Sequence, residues 1–205
     1  MTEARTRYHH GGLRDALLQA GLAMSRIGGA DAIVLREATR RAGVTPRAAY
    51  RHFADHGALL RAVAGAALAE MAVTIDRRQL GATGGLALLE GVGLGYIQFA
   101  LDEPGWFDVA FFAMGGMVAA APARSDATIG RSPYRQLEDA LARLVDESLL
   151  DAARAGDAAI MCWSGVHGFA TLTSRGPLRE LPRDAIDAQA ERLVADLVAA
   201  VVTIR

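Results

Sequence analysis

Residues Leu35–Phe53 read LREATRRAGVTPRAAYRHF. The stretch is two short helical segments around a tight turn. Gly43 supplies the turn. Thr45-Pro46 opens the second helix, because a threonine oxygen caps a helix N-terminus and proline suits the first helical turn. Neither segment is long enough to be stable alone, so the two must brace each other. Leu35, Ala38, Val44 and Phe53 suit that shared core. The second helix then keeps a polar outer face of Arg47, Tyr50, Arg51 and His52. Such a face fits the major groove of DNA. Its N-terminal residues lie nearest the base edges, arginine pairs bidentately with guanine, and hydroxyls reach phosphates.

Helical spacing extends outward in both directions. Leu13, Ala16, Leu17, Ala20, Met24 and Ile27 form one apolar face, and Gly28-Gly29 stops that helix. Asp55 is placed to cap a long helix from about His56 to Leu80, although Ala58 stands where a capping box needs an acid or amide. Gly81–Gly85 breaks it. Further helices are predicted over Leu86–Leu101, Trp106–Met114, Tyr134–Ala155, Asp157–Thr173 and Arg183–Thr203, with the weakly periodic Gly115–Pro133 between the second and third. Strand-like alternation is absent. The expected architecture is all-α: a DNA-binding helix-turn-helix domain over residues 1–61, then a larger ligand-binding and dimerisation domain over 62–205.

Charge supports that division. The net charge of −1 conceals +5 over residues 1–61 and −6 over the remainder, and four of the five histidines lie in the first part. A basic head on an acidic body suits a polyanionic partner. Cys162 is the only cysteine, so an intrachain disulfide is excluded and a reducing compartment is expected. Metal-ligand spacing, a nucleophile elbow, a P-loop and a dinucleotide fingerprint are all missing. The pairs Asp102-Glu103 and Asp146-Glu147 are adjacent and so point apart. No catalytic residue, metal or cofactor is therefore expected. The N-terminus has no apolar run with a cleavage site. The longest stretches free of Asp, Glu and Arg, Val109–Ala123 and Ala158–Leu172 with its short flanks, are interrupted by Gly, Pro and polar residues and do not suit a spanning helix. A cytoplasmic protein with no membrane partner is expected.

Tyr50-Arg51-His52-Phe53, the preceding Arg-Arg-Ala-Gly-Val-Thr and the following Leu59-Leu60 resemble the DNA-binding domain of tetracycline-repressor (TetR) family regulators, over about Tyr8–Val63. The resemblance implies a homodimeric repressor that binds double-stranded operator DNA and is released by a small molecule. The DNA-contact set is then Arg36, Thr45, Pro46, Arg47, Tyr50, Arg51, His52 and His56. His56 departs from the family pattern, which often has a phosphate-binding lysine there. Tyr8-His9-His10-Gly11 and the segment Cys162–Gly168 resemble a subgroup with a Trp-x-x-x-His-Gly signature. Gly12 departs from that subgroup and removes a side-chain cap from the first helix.

The ligand set is read from local enrichment. Trp163, His167 and Ala170 share a helical face, and Gly165 and Gly168 permit close approach of a helix or ligand. Trp106, Phe107, Phe111, Phe112, Met114 and Met117 crowd into a dozen residues. An apolar pocket with a few polar handles is the usual small-molecule site. The expected contacts with an apolar inducer are Phe99, Trp106, Phe107, Phe111, Met114, Met117, Cys162, Trp163 and His167. Plain core is the competing reading of the same residues. The pairs Ala158, Met161, Cys162, Gly165, Phe169 and Ile186, Ala190, Leu193, Val194, Leu197, Val201 suit a four-helix subunit interface. An enzyme, or a helical adaptor that does not bind operator DNA, is the alternative function.

Overall fold

The computed structural model describes residues 10–113 and 132–203, and among these every regular element is helical. Met114, Met117 and the Tyr8-His9 pair lie outside the described residues. The helices are α1 (His10–Gly28), α2 (Leu35–Arg41), α3 (Pro46–Ala49), α4 (His56–Arg78), α5 (Gly85–Asp102), α6 (Pro104–Phe111), α7 (Pro133–Asp146), α8 (Ala155–Ser174) and α9 (Arg183–Thr203). Short 3-10 turns at Ala30–Ala32 and Ala152–Arg154 follow α1 and precede α8.

The local signals act as their chemistry requires. Gly43, with φ +67°, ends α2 in a left-handed conformation that costs glycine nothing. The Thr45 hydroxyl accepts from Ala48 N at 3.4 Å and caps α3. Asp55 Oδ1 accepts from Ala58 N at 2.6 Å and caps α4. Two boundaries differ from the sequence expectation. The second helix of the 35–53 motif ends at Ala49, and Tyr50–His52 continue it as turns. The helix predicted to reach Ala155 ends at Asp146. There Ser148 adopts φ +58°, and both Leu149 N and Leu150 N bond to Leu144 O. A left-handed residue stops this helix, but a serine carries no glycine-like signal.

By contacts the described residues form two units: 10–67 with 105–113, and 68–104 with 132–203. The expected division was at residue 61. Residues 105–113, expected in the larger domain, group with the N-terminal unit. In the first unit α1, α2, α3 and the start of α4 enclose Leu17, Ile33, Ala38, Phe53, Leu59 and Val63. α6 adds Val109 to that core. In the second, α5 is the central helix, packed by α7, α8 and α9. α4 runs through both units. It is the one described helix long and apolar enough to cross a membrane by length and composition, a feature the reading of 109–123 and 158–172 passed over. Its apolar residues serve two cores: Leu59 and Val63 are buried in one, Met71 and Ile75 in the other.

The centrality of α5 depends on Gly91-Val92-Gly93-Leu94-Gly95. A Cβ on Gly95 would lie 2.7 Å from Ile75 Cα, and one on Gly93 would lie 2.9 Å from Val194. The missing side chains let the α4 backbone and the Val194 side chain of α9 close directly on α5. Gly95→Ala is expected to destabilise the protein by roughly 1–3 kcal/mol through overpacking, seen as a drop of several degrees in thermal midpoint. Gly156→Ala, where a Cβ meets nothing within 4 Å, is the matched control and should leave the midpoint unchanged. Equal effects of the two substitutions would contradict the close-packed reading of α5.

Candidate functional site

In the first unit, Arg36, Thr45, Pro46, Arg47, Tyr50, Arg51 and His56 are exposed and His52 is half-buried. Tyr50 and Phe53, one turn apart, divide as polar face and core: Tyr50 is 56% exposed and Phe53 3%. The Arg14 guanidinium covers the Phe53 ring at 5.4 Å, a cation–π contact that binds α1 to the end of the motif.

The arginines of this unit fall into two groups. Glu37 takes two bonds of 2.7 Å from Arg40 and one of 2.9 Å from Arg41. These bonds hold its carboxyl down at about 2. Arg40 and Arg41 are thus committed to an internal acid. Arg36, Arg47 and Arg51 have no ion-pair partner among the described residues. Their charges, with the Tyr50 hydroxyl and the α3 N-terminus, are available to an external anion. His56 does not simply project: its Nε2 lies 2.6 Å from Ile33 O. A carbonyl only accepts, so Nε2 carries the proton and donates it.

The aromatic residues of α6 also belong to the first unit. Phe107 and Phe111 are buried and pack at 5.0 Å between ring centroids. Trp106 Nε1 donates to Leu22 O at 2.9 Å, and Arg26 lies over the same ring at 5.2 Å. The other ligand candidates, Phe99, Cys162, Trp163 and His167, lie in the second unit. By backbone contacts Trp106, Phe107 and Phe111 thus group with the first unit and Phe99, Cys162, Trp163 and His167 with the second.

The second unit contains a cluster of polar groups on α5, α7 and α8. The Tyr96 hydroxyl and His167 Nδ1 share a hydrogen bond of 2.8 Å. Trp163 packs against Tyr134 with centroids 4.8 Å apart. The buried Trp163 Nε1 is directed as a donor at the Tyr96 hydroxyl without reaching full hydrogen-bond geometry. Gln136 is fully buried; its Nε2 donates to Ala72 O at 3.0 Å and Asp76 Oδ1 at 2.7 Å, while its Oε1 has no partner. Each unpartnered buried group costs about 1–3 kcal/mol; Arg154 Nε and Ser174 Oγ are buried without partners as well. Burial pushes the Tyr96 phenol far up, raises the Cys162 thiol to about 11 and lowers the His167 imidazole. All three are uncharged at neutral pH. Phe99 is buried beside a separate polar cleft of about 380 Å³ lined also by Arg77, Arg78 and Asp102. Among the described residues no group of His, Cys, Asp and Glu is placed to hold a metal ion.

Tyr96, Tyr134 and Gln136 were not singled out from sequence. Tyr96 and His167 are 71 positions apart, and no local pattern announces such a pair.

Residues 89–197 match the family model described as the tetracyclin repressor-like C-terminal domain. No curated protein matches the sequence. Three solved structures are similar over nearly their whole length. A Rhodococcus sp. RHA1 protein of unknown function is 23% identical, with TM-score 0.75, covering 97% of this chain and 100% of its own. A TetR variant from Acinetobacter baumannii AYE in complex with minocycline is 20% identical, with TM-score 0.65, covering 95% and 96%. RolR in complex with resorcinol is 16% identical, with TM-score 0.64, covering 95% of each chain.

The buried histidine gives a pH dependence with a definite sign. Below about pH 6.5 an unfolded histidine takes up a proton that folded His167 resists. The unfolded state then binds more protons, so stability falls as the pH drops through that value. Urea unfolding is expected to show this loss as the pH falls below about 6.5, and His167→Gln should flatten it. The Glu37 contribution lies in a separate window, lost only between 4.5 and about 2. An undiminished loss in His167→Gln would show that His167 is not its source.

Proposed function

Because the chain belongs to the tetracycline-repressor-like family, whose members regulate transcription and are not enzymes, we propose that it is a cytoplasmic, homodimeric repressor that leaves operator DNA when a small molecule binds. One observation carries the DNA reading. Around the capped N-terminus of α3, Arg36, Arg47 and Arg51 are exposed without internal partners, while neighbouring Arg40 and Arg41 are held by Glu37. Unpaired guanidiniums beside a helix N-terminus suit phosphate and guanine contacts.

The inducer is uncharged and largely apolar. It meets the Trp163–His167 face of the subgroup signature, and it offers an acceptor to Trp163 Nε1 or a donor to Gln136 Oε1. Support comes from the imperfectly paired Trp163 Nε1, the unpartnered Gln136 Oε1, and the neutral Tyr96, His167 and Cys162 of the same unit. Minocycline and resorcinol, bound by two structural neighbours, are both ring compounds with hydroxyl groups.

The dimer forms through α8 and α9. Ala158, Cys162, Ile186, Ala190, Val194 and Val201 are already buried within the subunit. The surface left for a partner is a ridge four residues apart, Ile160, Ser164, Gly168 and Leu172, all exposed. Ile160 is 60% exposed, and a Cβ on Gly168 meets nothing within 4 Å. Gly165, by contrast, is used within the subunit, where a Cβ would lie 2.8 Å from Leu197.

Two experiments test this reading. A random-sequence duplex pool should yield a near-palindrome, with half-sites about one helical turn or more apart. On that duplex Arg47→Ala is expected to cost about 1–3 kcal/mol if the contact is bidentate to guanine, with a smaller loss on mixed-sequence DNA. Equal losses would reduce Arg47 to a phosphate contact, and no enrichment at all would sink the repressor. Sedimentation velocity tests the second point: Gly168→Leu should shift the dimer toward monomer with the circular dichroism spectrum unchanged. A dimer as tight as the parent would place the interface elsewhere.

A further inference from the structure

The 3-10 turn Ala30–Ala32 is held at both ends by side chains distant in sequence. At its N-terminal end, Asp108 Oδ2 of α6 accepts from Ala30 N at 3.1 Å. Gly29, with φ +64°, opens the way: a Cβ there would lie 2.8 Å from the same carboxylate oxygen. At the C-terminal end, Ile33 N closes the turn on Ala30 O at 3.1 Å, and Ile33 O accepts from His56 Nε2 at 2.6 Å. His56 is the first residue of α4.

α6 is itself firmly seated in this unit. A Cβ on Gly105 would lie 2.1 Å from Ser25 O and 2.6 Å from Arg26 O, so α6 meets the end of α1 at backbone distance. The Trp106 indole bonds Leu22 O just above. An open groove of about 630 Å³ borders the turn. Its walls include Ile33, Arg36, Tyr50, Asp55, His56 and Ala113. Two candidate DNA contacts, the start of α4 and a residue just past α6 therefore face one space.

We propose that Asp108 and His56 are positioning residues that make the 3-10 turn a strut, through which the seat of α6 sets the start of α4 and the Arg36–Tyr50 face. The proposal rests on reading that face as the DNA-contact surface. His56 then replaces a phosphate-binding lysine not with a weaker phosphate contact but with an internal brace. The two bonds lie in series, Asp108 to Ala30 and Ile33 to His56, across a turn of three residues. A turn this short has little slack, so releasing one end loosens the other. Glu103 alone separates α6 from α5, and α5 carries Tyr96.

The test uses the full chain with three variants: Asp108→Ala, Asp108→Asn, whose amide oxygen still accepts from Ala30 N, and His56→Ala at an exposed helix start. Nuclear magnetic resonance reads the Ala30 amide exchange rate and the His56 ring ¹⁵N shifts, which report the fixed Nε2 proton. Anisotropy reads affinity for the selected duplex. In Asp108→Ala, Ala30 exchange is expected to rise and the His56 shifts to move toward tautomer averaging. Duplex affinity should fall roughly tenfold, within the usual range of site-to-site coupling, with the salt slope unchanged because no phosphate contact is removed. Asp108→Asn should restore all three. Should Asp108→Ala misfold, His56→Ala supplies the reciprocal reading: faster Ala30 exchange supports the strut, and an unchanged rate overturns it. Faster Ala30 exchange in Asp108→Ala with unmoved His56 shifts also overturns it, leaving Asp108 a local cap. A chain that bound no duplex would remove the DNA reading alone, because the exchange and shift measurements need no DNA.

Discussion

Gly105 sets the strictest condition on this structure. Its α-carbon sits so close to α1 that any side chain would overlap the carbonyls of Ser25 and Arg26. No rotamer relieves such a clash, because the neighbours are backbone. This one missing Cβ lets α6 be built into the N-terminal unit, where Trp106 and Val109 complete what α1–α4 begin. The preceding helix, α5, is the centre of the other unit and ends only one residue earlier, before Glu103. Proline at 104 suits the first turn of α6, where its missing N–H costs nothing.

The two units differ in how they treat charge. The first sorts its arginines: Glu37 neutralises Arg40 and Arg41 in place, and Arg36, Arg47 and Arg51 face solvent unpaired. That arrangement concentrates positive charge at α3 rather than spreading it over the head. The second unit removes charge from its interior. Tyr96, Cys162 and His167 are all pushed by burial toward their neutral forms. The groups left there are directional, among them the Trp163 N–H aimed at the Tyr96 hydroxyl and the unpartnered Gln136 oxygen. A charged face and a neutral, hydrogen-bonding interior suit two different kinds of partner.

Features encoded within one turn of the chain were legible in the sequence. Thr45-Pro46 and Asp55 do start helices, Gly43 does turn, and α9 spans Arg183–Thr203 as its periodicity requires. Phe53 and Tyr50 divide between core and surface. Features that depend on distant contacts were not legible. The end of α7 rests on a left-handed serine, an uncommon use of that residue. Aromatic crowding in Trp106–Phe111 is real, but crowding cannot say which neighbour each ring meets: Trp106 bonds α1, while Phe107 and Phe111 pack on each other. Asp108, Tyr96 and Gln136 become meaningful only through partners 78, 71 and 64 positions away.

The central claim is that α6 and the DNA-contact face act as one mechanical body. Hydrogen exchange read by mass spectrometry on the full chain, free and bound to its selected duplex, tests it most directly. Residues 35–56 should be protected by contact with DNA. The account further predicts slowed exchange in residues 104–113, which include none of the candidate DNA contacts, because fixing the face fixes the turn that α6 holds. Protection confined to 35–56, with α6 exchanging at the same rate in both states, would contradict it.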